Sequence, residues 1–178
     1  HILAKLRPGL ILAEEGAPFA RALALPEAAG AEVVTAGPLP GATPWEDLLA
    51  MPPGAVLDRA IAAVDPDAPV KILFTSGSTG VPKGVPATHR MMAANQQQMA
   101  QVWPFLLEEP PVILDWLPWS HVFGSSHNLN MVLRFGGTLW IDEGRPMPGA
   151  AHARTLANLR EVSPTIRFDV PRGHALLL

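Results

Sequence analysis

A chain of 178 residues with a formal charge of −3, a pI near 6.1 and no cysteine excludes a disulfide scaffold, a thiolate metal centre and a strongly basic nucleic-acid surface. Hydrophobic residues make up 48% and charged residues 16%, against about 25% charged in ordinary soluble domains. No apolar run approaches the ~18 residues of a membrane span, so the surplus reads as surface that further chain would cover. The start at His1 and the apolar close at residues 175–178 (ALLL) fit such a piece. No signal-peptide pattern opens the chain, and the absence of cysteine fits a cytoplasmic setting.

In chain order, residues 9–13 (GLILA) read as a short buried strand, 18–29 as an alanine- and leucine-rich helix, and 31–35 (AEVVT) as a second strand. That β-α-β order predicts a parallel pair with a right-handed crossover. The Gly/Pro-rich run 37–44 is the candidate internal linker. Short helices are expected over 45–50 and 55–64, and the DPDAP run at 65–69 stops the second. Strands over 70–75 and 85–88 flank a glycine-rich loop. Thr88 is placed to cap a helix running to about Val102, ended by Pro104, with Met92, Met99 and Trp103 near one face. A strand over 112–117, a helix over 125–134 closed by Gly136-Gly137, a strand over 138–142, a helix over 154–162 with Leu156 and Leu159 inward, and a strand over 165–170 complete an α/β pattern.

Chemistry concentrates in VKILFTSGSTGVPKGVPATH, residues 70–89. Gly77, Gly80 and Gly84 permit positive φ and close approach to bare amides. Thr75, Ser76, Ser78 and Thr79 add hydroxyls, and Lys83 adds a mobile ammonium. Amides, hydroxyls and a cation on one concavity suit a polyphosphate; Thr75 and Ser76 have the alternative of bonding their own turn. A Walker loop is excluded by spacing, because Pro82 and Gly84 stand where that motif needs Gly and Ser/Thr. A GxGxxG fingerprint is absent too, and an extended Val85-Pro86 leaves no helix opening directly on the site. The expectation is a strand–loop–strand cradle.

FTSGSTGVPKGV, residues 74–85, closely resembles the phosphate-binding signature of the acyl-adenylate-forming enzymes, and LPWSHVFG, residues 117–124, resembles that family's next motif. PWSHVFGSSHN, GGTLWIDEGRPMP and FDVPRG are most similar to feruloyl-CoA synthases and related aryl-CoA ligases. The resemblance runs from about residue 70 to 173, with the phosphate-loop core at 70–178. It implies that residues 1–178 are part of the layered α/β N-terminal AMP-binding domain. It also implies an ATP-dependent acid–thiol ligase using Mg2+-ATP and CoA on a small carboxylic acid such as a hydroxycinnamate. Thr75, Ser76, Gly77, Ser78, Thr79, Gly80 and Lys83 then hold ATP phosphates. His121 lies near the acid carboxylate, and Trp119, Phe123 and His127 help wall the acyl pocket. The family's adenine, ribose, hinge and C-terminal lysine segments are absent from the sequence. No certain catalytic residue is present, so the piece alone is expected to be inactive.

Bland readings stand beside these. Lys83 is also readable as a solvated surface lysine and His121 as a histidine satisfied by a carbonyl. His121 and His127 lack the i, i+4 spacing of a helical metal pair, so no metal site is expected from them. Residues 124–128 (GSSHN) approach a GxSxG nucleophile elbow, with Ser126, Asp169 and His174 in hydrolase order, but that reading leaves the phosphate loop unexplained. A nucleotide-binding module without catalysis is the non-enzyme alternative.

Overall fold

The computed structural model describes residues 1–75, 80–145 and 147–177. It divides into two compact units, 1–64 with 75–83, and 65–74 with 84–178. Residues 76–79, the centre of the 74–85 string, lie outside the described residues.

In the first unit, α1 (Ile2–Leu6) leads into β1 (Leu10–Ala13). A 3-10 turn (Ala17–Phe19) and the single turn α2 (Ala20–Leu23) follow, then a second 3-10 turn (Pro26–Ala28). The continuous helix expected over 18–29 is therefore corrected to three fragments. Pro26 lacks an amide proton and disfavours helical backbone at Leu25, which is extended at ψ 145. β2 (Glu32–Thr35) pairs parallel with β1, Leu10 opposite Glu32 through Ala13 opposite Thr35, as the β-α-β order predicts. β3 (Thr43–Pro44) adds to β2 in parallel, so the Gly/Pro-rich run 37–44 ends inside this sheet. α3 (Trp45–Leu49) and α4 (Ala55–Ala62) close the unit.

The second unit carries most of β4 (Pro69–Thr75) and β5 (Lys83–Thr88), which form a two-stranded sheet. Gly84 is closely approached there: a Cβ would lie 2.9 Å from Ile72 Cγ2 and 3.3 Å from the Phe74 ring. α5 (His89–Val102) begins at Thr88, whose Oγ1 accepts from the Met91 amide at 3.2 Å, the cap expected from sequence. Arg90 fixes that end further, with Nε and Nη2 donating to both Asp67 oxygens at 2.6 and 2.9 Å. After a 3-10 turn (Pro104–Leu107), β6 (Val112–Asp115) pairs parallel with β7 (Thr138–Ile141). Between them run a π-helical segment (Phe123–Leu129) and α6 (Asn130–Phe135), capped by Gly136 at φ 66. α7 (Ala150–Val162) and α8 (Pro171–Ala175) complete the chain.

The core of this unit gathers Met99, Leu106, Ile113, Met131 and Val132, with Trp103, Phe135, Leu139, Ile166 and Phe168 against it. The strand expected over 165–170 does not form. Thr165 and Ile166 share the Val112 carbonyl, the Thr165 hydroxyl takes the Val112 amide at 2.9 Å, and Pro171 then opens α8. Helix α7 buries Thr155 most deeply, while Leu156 and Leu159 are half-buried. None of the described helices is long and apolar enough to cross a membrane.

Candidate functional site

The residues proposed for phosphate flank the undescribed stretch 76–79. Thr75 ends β4, exposed; Gly80 has φ 76 with open space around its Cα; Lys83 opens β5, exposed. The Pro82 carbonyl accepts from Lys5 Nζ at 2.8 Å, so the turn before Lys83 is tethered within the first unit. Ser76, Gly77, Ser78 and Thr79 lie outside the described residues.

A second feature belongs wholly to the second unit. Strand β6 ends at Asp115, and the chain turns through Leu117–His121 into the π-helix. Asp115 Oδ1 takes the Leu117 amide at 3.0 Å, and the Pro118 carbonyl takes the His121 amide at 3.0 Å. Gly124 packs directly on this turn, since a Cβ there would sit 2.7 Å from both the Leu117 and Pro118 carbonyl oxygens. The wide π turn stacks residues four apart: the Phe123 and His127 rings meet edge to face at 5.3 Å. His127 also packs edge-on against Phe168 at 4.6 Å, with Trp103 behind both.

Between this segment and α5 lies a cavity of about 350 Å³ lined by Ala87, Met91, Met92, Asn95, Val122, Phe123, Ser126 and His127. Of the four residues expected at an acyl pocket, Phe123 and His127 meet here. Trp119, 50% exposed, and His121, also exposed, are not among the lining residues. His121 Nδ1 accepts from the Phe123 amide at 3.2 Å, so its neutral ring carries the proton on Nε2. His127 Nδ1 bonds Asn128 Oδ1 at 2.8 Å; an amide oxygen only accepts, which leaves Nε2 as the acceptor of that neutral ring.

Sequence reading missed the wall that α5 supplies. Met91, Met92 and Asn95 stand at i, i+1 and i+4, and of these only Met92 belongs to the face that the sequence pattern picks out with Met99 and Trp103. Lys71 was missed as well. Its Nζ donates to Ser125 Oγ at 2.9 Å, and partial burial pushes the ammonium pKa down.

At the end of β6 is a buried polar cluster. Asp169 receives Trp116 Nε1 at 3.1 Å, its neighbour's Val170 amide at 2.8 Å, and an ion pair from Arg167. Asp115, 3% exposed, has its carboxyl pKa raised, first by burial and further by the Asp169 charge. The Leu117 amide, the Asn128 side chain and Arg167 act the other way.

These contacts remove the hydrolase reading. A nucleophile elbow needs a tight strand-to-helix turn, whereas Ser126 lies inside the π-helix, its carbonyl accepting from Gln96 Nε2 at 3.1 Å. Asp169 is committed to Arg167 and Trp116, and Ser126 Oγ has no hydrogen-bond partner.

The parallel strand pairs with helices between them define an α/β protein, and comparison with known proteins narrows this. The chain matches the AMP-binding enzyme family over residues 1–178 and belongs to it. It is 29% identical over 125 residues to the long-chain-fatty-acid–CoA ligase ACSBG2 of Xenopus laevis, covering 67% of this chain and 16% of that ligase. It is 30% identical over 101 residues to palmitoyl-CoA ligase FUM16 of Gibberella moniliformis, covering 57% of this chain and 15% of that enzyme. In fold it is similar to ATP-bound MatB from Rhodopseudomonas palustris, with TM-score 0.67, 24% identity, and 99% of this chain against 32% of that one. A putative long-chain-fatty-acid CoA ligase of the same organism gives TM-score 0.72 at 19% identity, over 99% and 42%. The chain thus spans about a sixth of the length of these curated relatives.

Proposed function

We propose that the full-length protein is an AMP-forming acid–thiol ligase whose substrate is a small aromatic carboxylic acid of the hydroxycinnamate type. The observation that carries the aromatic reading is the cavity beside α5. Its volume of about 350 Å³ lies near the lower end of the roughly 300–1,000 Å³ of ligand sites. Phe123 and His127, whose rings meet edge to face, line it together with Met91 and Met92. Such walls suit a planar ring, which prefers offset or edge contacts.

Chemically, the acid carboxylate attacks the α-phosphorus of Mg2+-ATP, forming an acyl-adenylate and releasing pyrophosphate. The CoA thiol then attacks the acyl carbon and AMP leaves. Magnesium enters with its nucleotide as substrate; among the described residues no cluster of three His, Cys, Asp or Glu side chains is placed to hold a metal. Lys83, with Thr75, Ser76, Gly77, Ser78, Thr79 and Gly80, binds the β- and γ-phosphates and stabilises the departing anion. His121 serves the acid: with Nδ1 engaged by the Phe123 amide, its exposed Nε2–H donates to the carboxylate. Trp119 flanks that contact on the same turn.

The full-length protein given ATP, CoA and equal concentrations of 4-hydroxycinnamate and palmitate is expected to form mainly the aryl thioester, read by mass spectrometry. Exclusive palmitoyl-CoA formation contradicts the aromatic reading and leaves the ligase reading intact.

A further inference from the structure

We propose that Lys71 is a positioning residue of the acid site, holding His121 in place through a relay of hydrogen bonds from Lys71 Nζ through Ser125 Oγ to the His121 carbonyl. This rests on reading His121 as the group that meets the acid carboxylate. Lys71 Nζ donates to Ser125 Oγ at 2.9 Å, and that hydroxyl donates to the His121 carbonyl at 3.0 Å. Lysine and serine stand 54 residues apart in the chain, one on β4 and the other in the π-helical segment. The contact is therefore made by the fold and has no local origin.

The other bonds to His121 come from its own turn. The Pro118 carbonyl takes the His121 amide at 3.0 Å, and the Ser125 amide donates to the His121 carbonyl at 3.1 Å. The Phe123 amide donates to Nδ1 at 3.2 Å. Such bonds fix the shape of the turn and leave its placement to contacts from outside. Helix α5 supplies one, with Gln96 Nε2 on the Ser126 carbonyl at 3.1 Å. Strand β4 supplies another through Lys71, and this one leads on to His121 itself.

The charge of Lys71 gives the relay its direction. An ammonium has three donors and no acceptor, so Ser125 Oγ must accept from it and its own proton goes to the His121 carbonyl. A lysine ordinarily keeps its ammonium in water. Lys71 is half-buried, and burial pushes its pKa down. None of the ion pairs among the described residues includes it. Its partner Ser125 is only 7% exposed, and a charge-assisted bond of this kind is stronger than a neutral one. Groups that meet a substrate work within about 0.5 Å of their productive geometry, so a turn released from β4 is expected to weaken use of the acid and spare ATP.

The test measures pyrophosphate release by the full-length protein with whichever of 4-hydroxycinnamate and palmitate the wild type uses. Lys71→Met keeps an unbranched apolar stem and deletes the ammonium. It is expected to lose roughly tenfold or more in kcat/KM for the acid, the scale of a charge-assisted bond, with KM for ATP retained. Ser125→Ala cuts the relay in the middle and is expected to lose a similar factor. It decides the matter where the methionine variant fails to fold, and in the double variant the two losses do not add. In a His121→Ala background neither substitution lowers acid use further, whereas a lysine that serves stability alone gives the same fall in both backgrounds. Equal falls in both backgrounds overturn the assignment, as do wild-type acid kinetics in folded Lys71→Met or Ser125→Ala. A His121→Ala protein with wild-type acid kinetics instead overturns the reading of His121 on which the assignment rests.

Discussion

Asp115 lies buried at the end of β6 (3% exposed), with one carboxylate oxygen on the Leu117 amide and the other unpartnered. Its folded pKa lies above the ordinary 3.8, burial being the largest cause. The facing groups are Asp169, which raises it further, and the Leu117 amide, Asn128 and Arg167, which lower it. Because the folded value exceeds the unfolded one, the favourable contribution is complete below pH 3.8 and is lost as pH rises through the folded pKa. Asp115→Asn keeps an acceptor for Leu117 and removes the titration. Its thermal midpoint relative to wild type is therefore expected to rise between about pH 4 and pH 8. A difference that stays flat over that range shows that burial does not disfavour the charge. The exposed Asp67 behaves oppositely: its bond to Arg90 lowers the pKa, so that pairing is stabilising above 3.8 and fades as pH falls through the lower folded value. Neither behaviour is legible in sequence, where both are simply aspartates beside a Pro or a Trp.

At the scale of elements, local rules read well wherever a residue acts on its own backbone. Thr88 as N-cap, Gly136 as a left-handed C-cap and the β1–β2 pairing follow from such rules. Pro26 follows the same logic against the composition around it, and splits the helix that the alanines and leucines of 18–29 favour into three fragments. The π-helix had no local signal, because one extra residue per turn is set by what the helix packs on. Gly124 is what it packs with: its missing side chain admits the Leu117 and Pro118 carbonyls. Gly124→Ala is expected to cost about 1–3 kcal/mol and to move Phe123, Ser126 and His127 together. The readout is a lowered thermal midpoint with acid kcat/KM reduced more than KM for ATP. A variant with wild-type stability and acid kinetics contradicts the close approach. Similarly, the 165–170 run reads as a strand by composition, yet Arg167 and Asp169 turn inward to pair with each other, and ladder pairing ends at Thr165 and Ile166.

For the whole molecule, fold class and family were legible because they reside in one contiguous string, and the match over residues 1–178 agrees. The cavity was only half legible, since its walls come from segments some thirty residues apart. Phe123 and His127 sit in a recognisable motif, but Met91, Met92 and Asn95 reach it through the packing of α5 on the π-helix. Aliphatic side chains such as Leu133 and Ile141, each 72% exposed, agree with the 32–42% of the matched structures that this chain covers. On the proposed function, activity belongs to the full-length protein, and its central requirement is a polyphosphate held by the loop that ends at Lys83. Acid-dependent ATP–pyrophosphate exchange in full-length wild type and Lys83→Ala measures this directly. A charge-assisted contact is worth about 1.5–3 kcal/mol. The variant should accordingly lose roughly tenfold to a hundredfold in kcat/KM for ATP, at about 1.4 kcal/mol per decade, with KM for the acid nearly unchanged. Wild-type exchange kinetics for ATP in Lys83→Ala, or no acid-dependent exchange in the wild type, contradicts it.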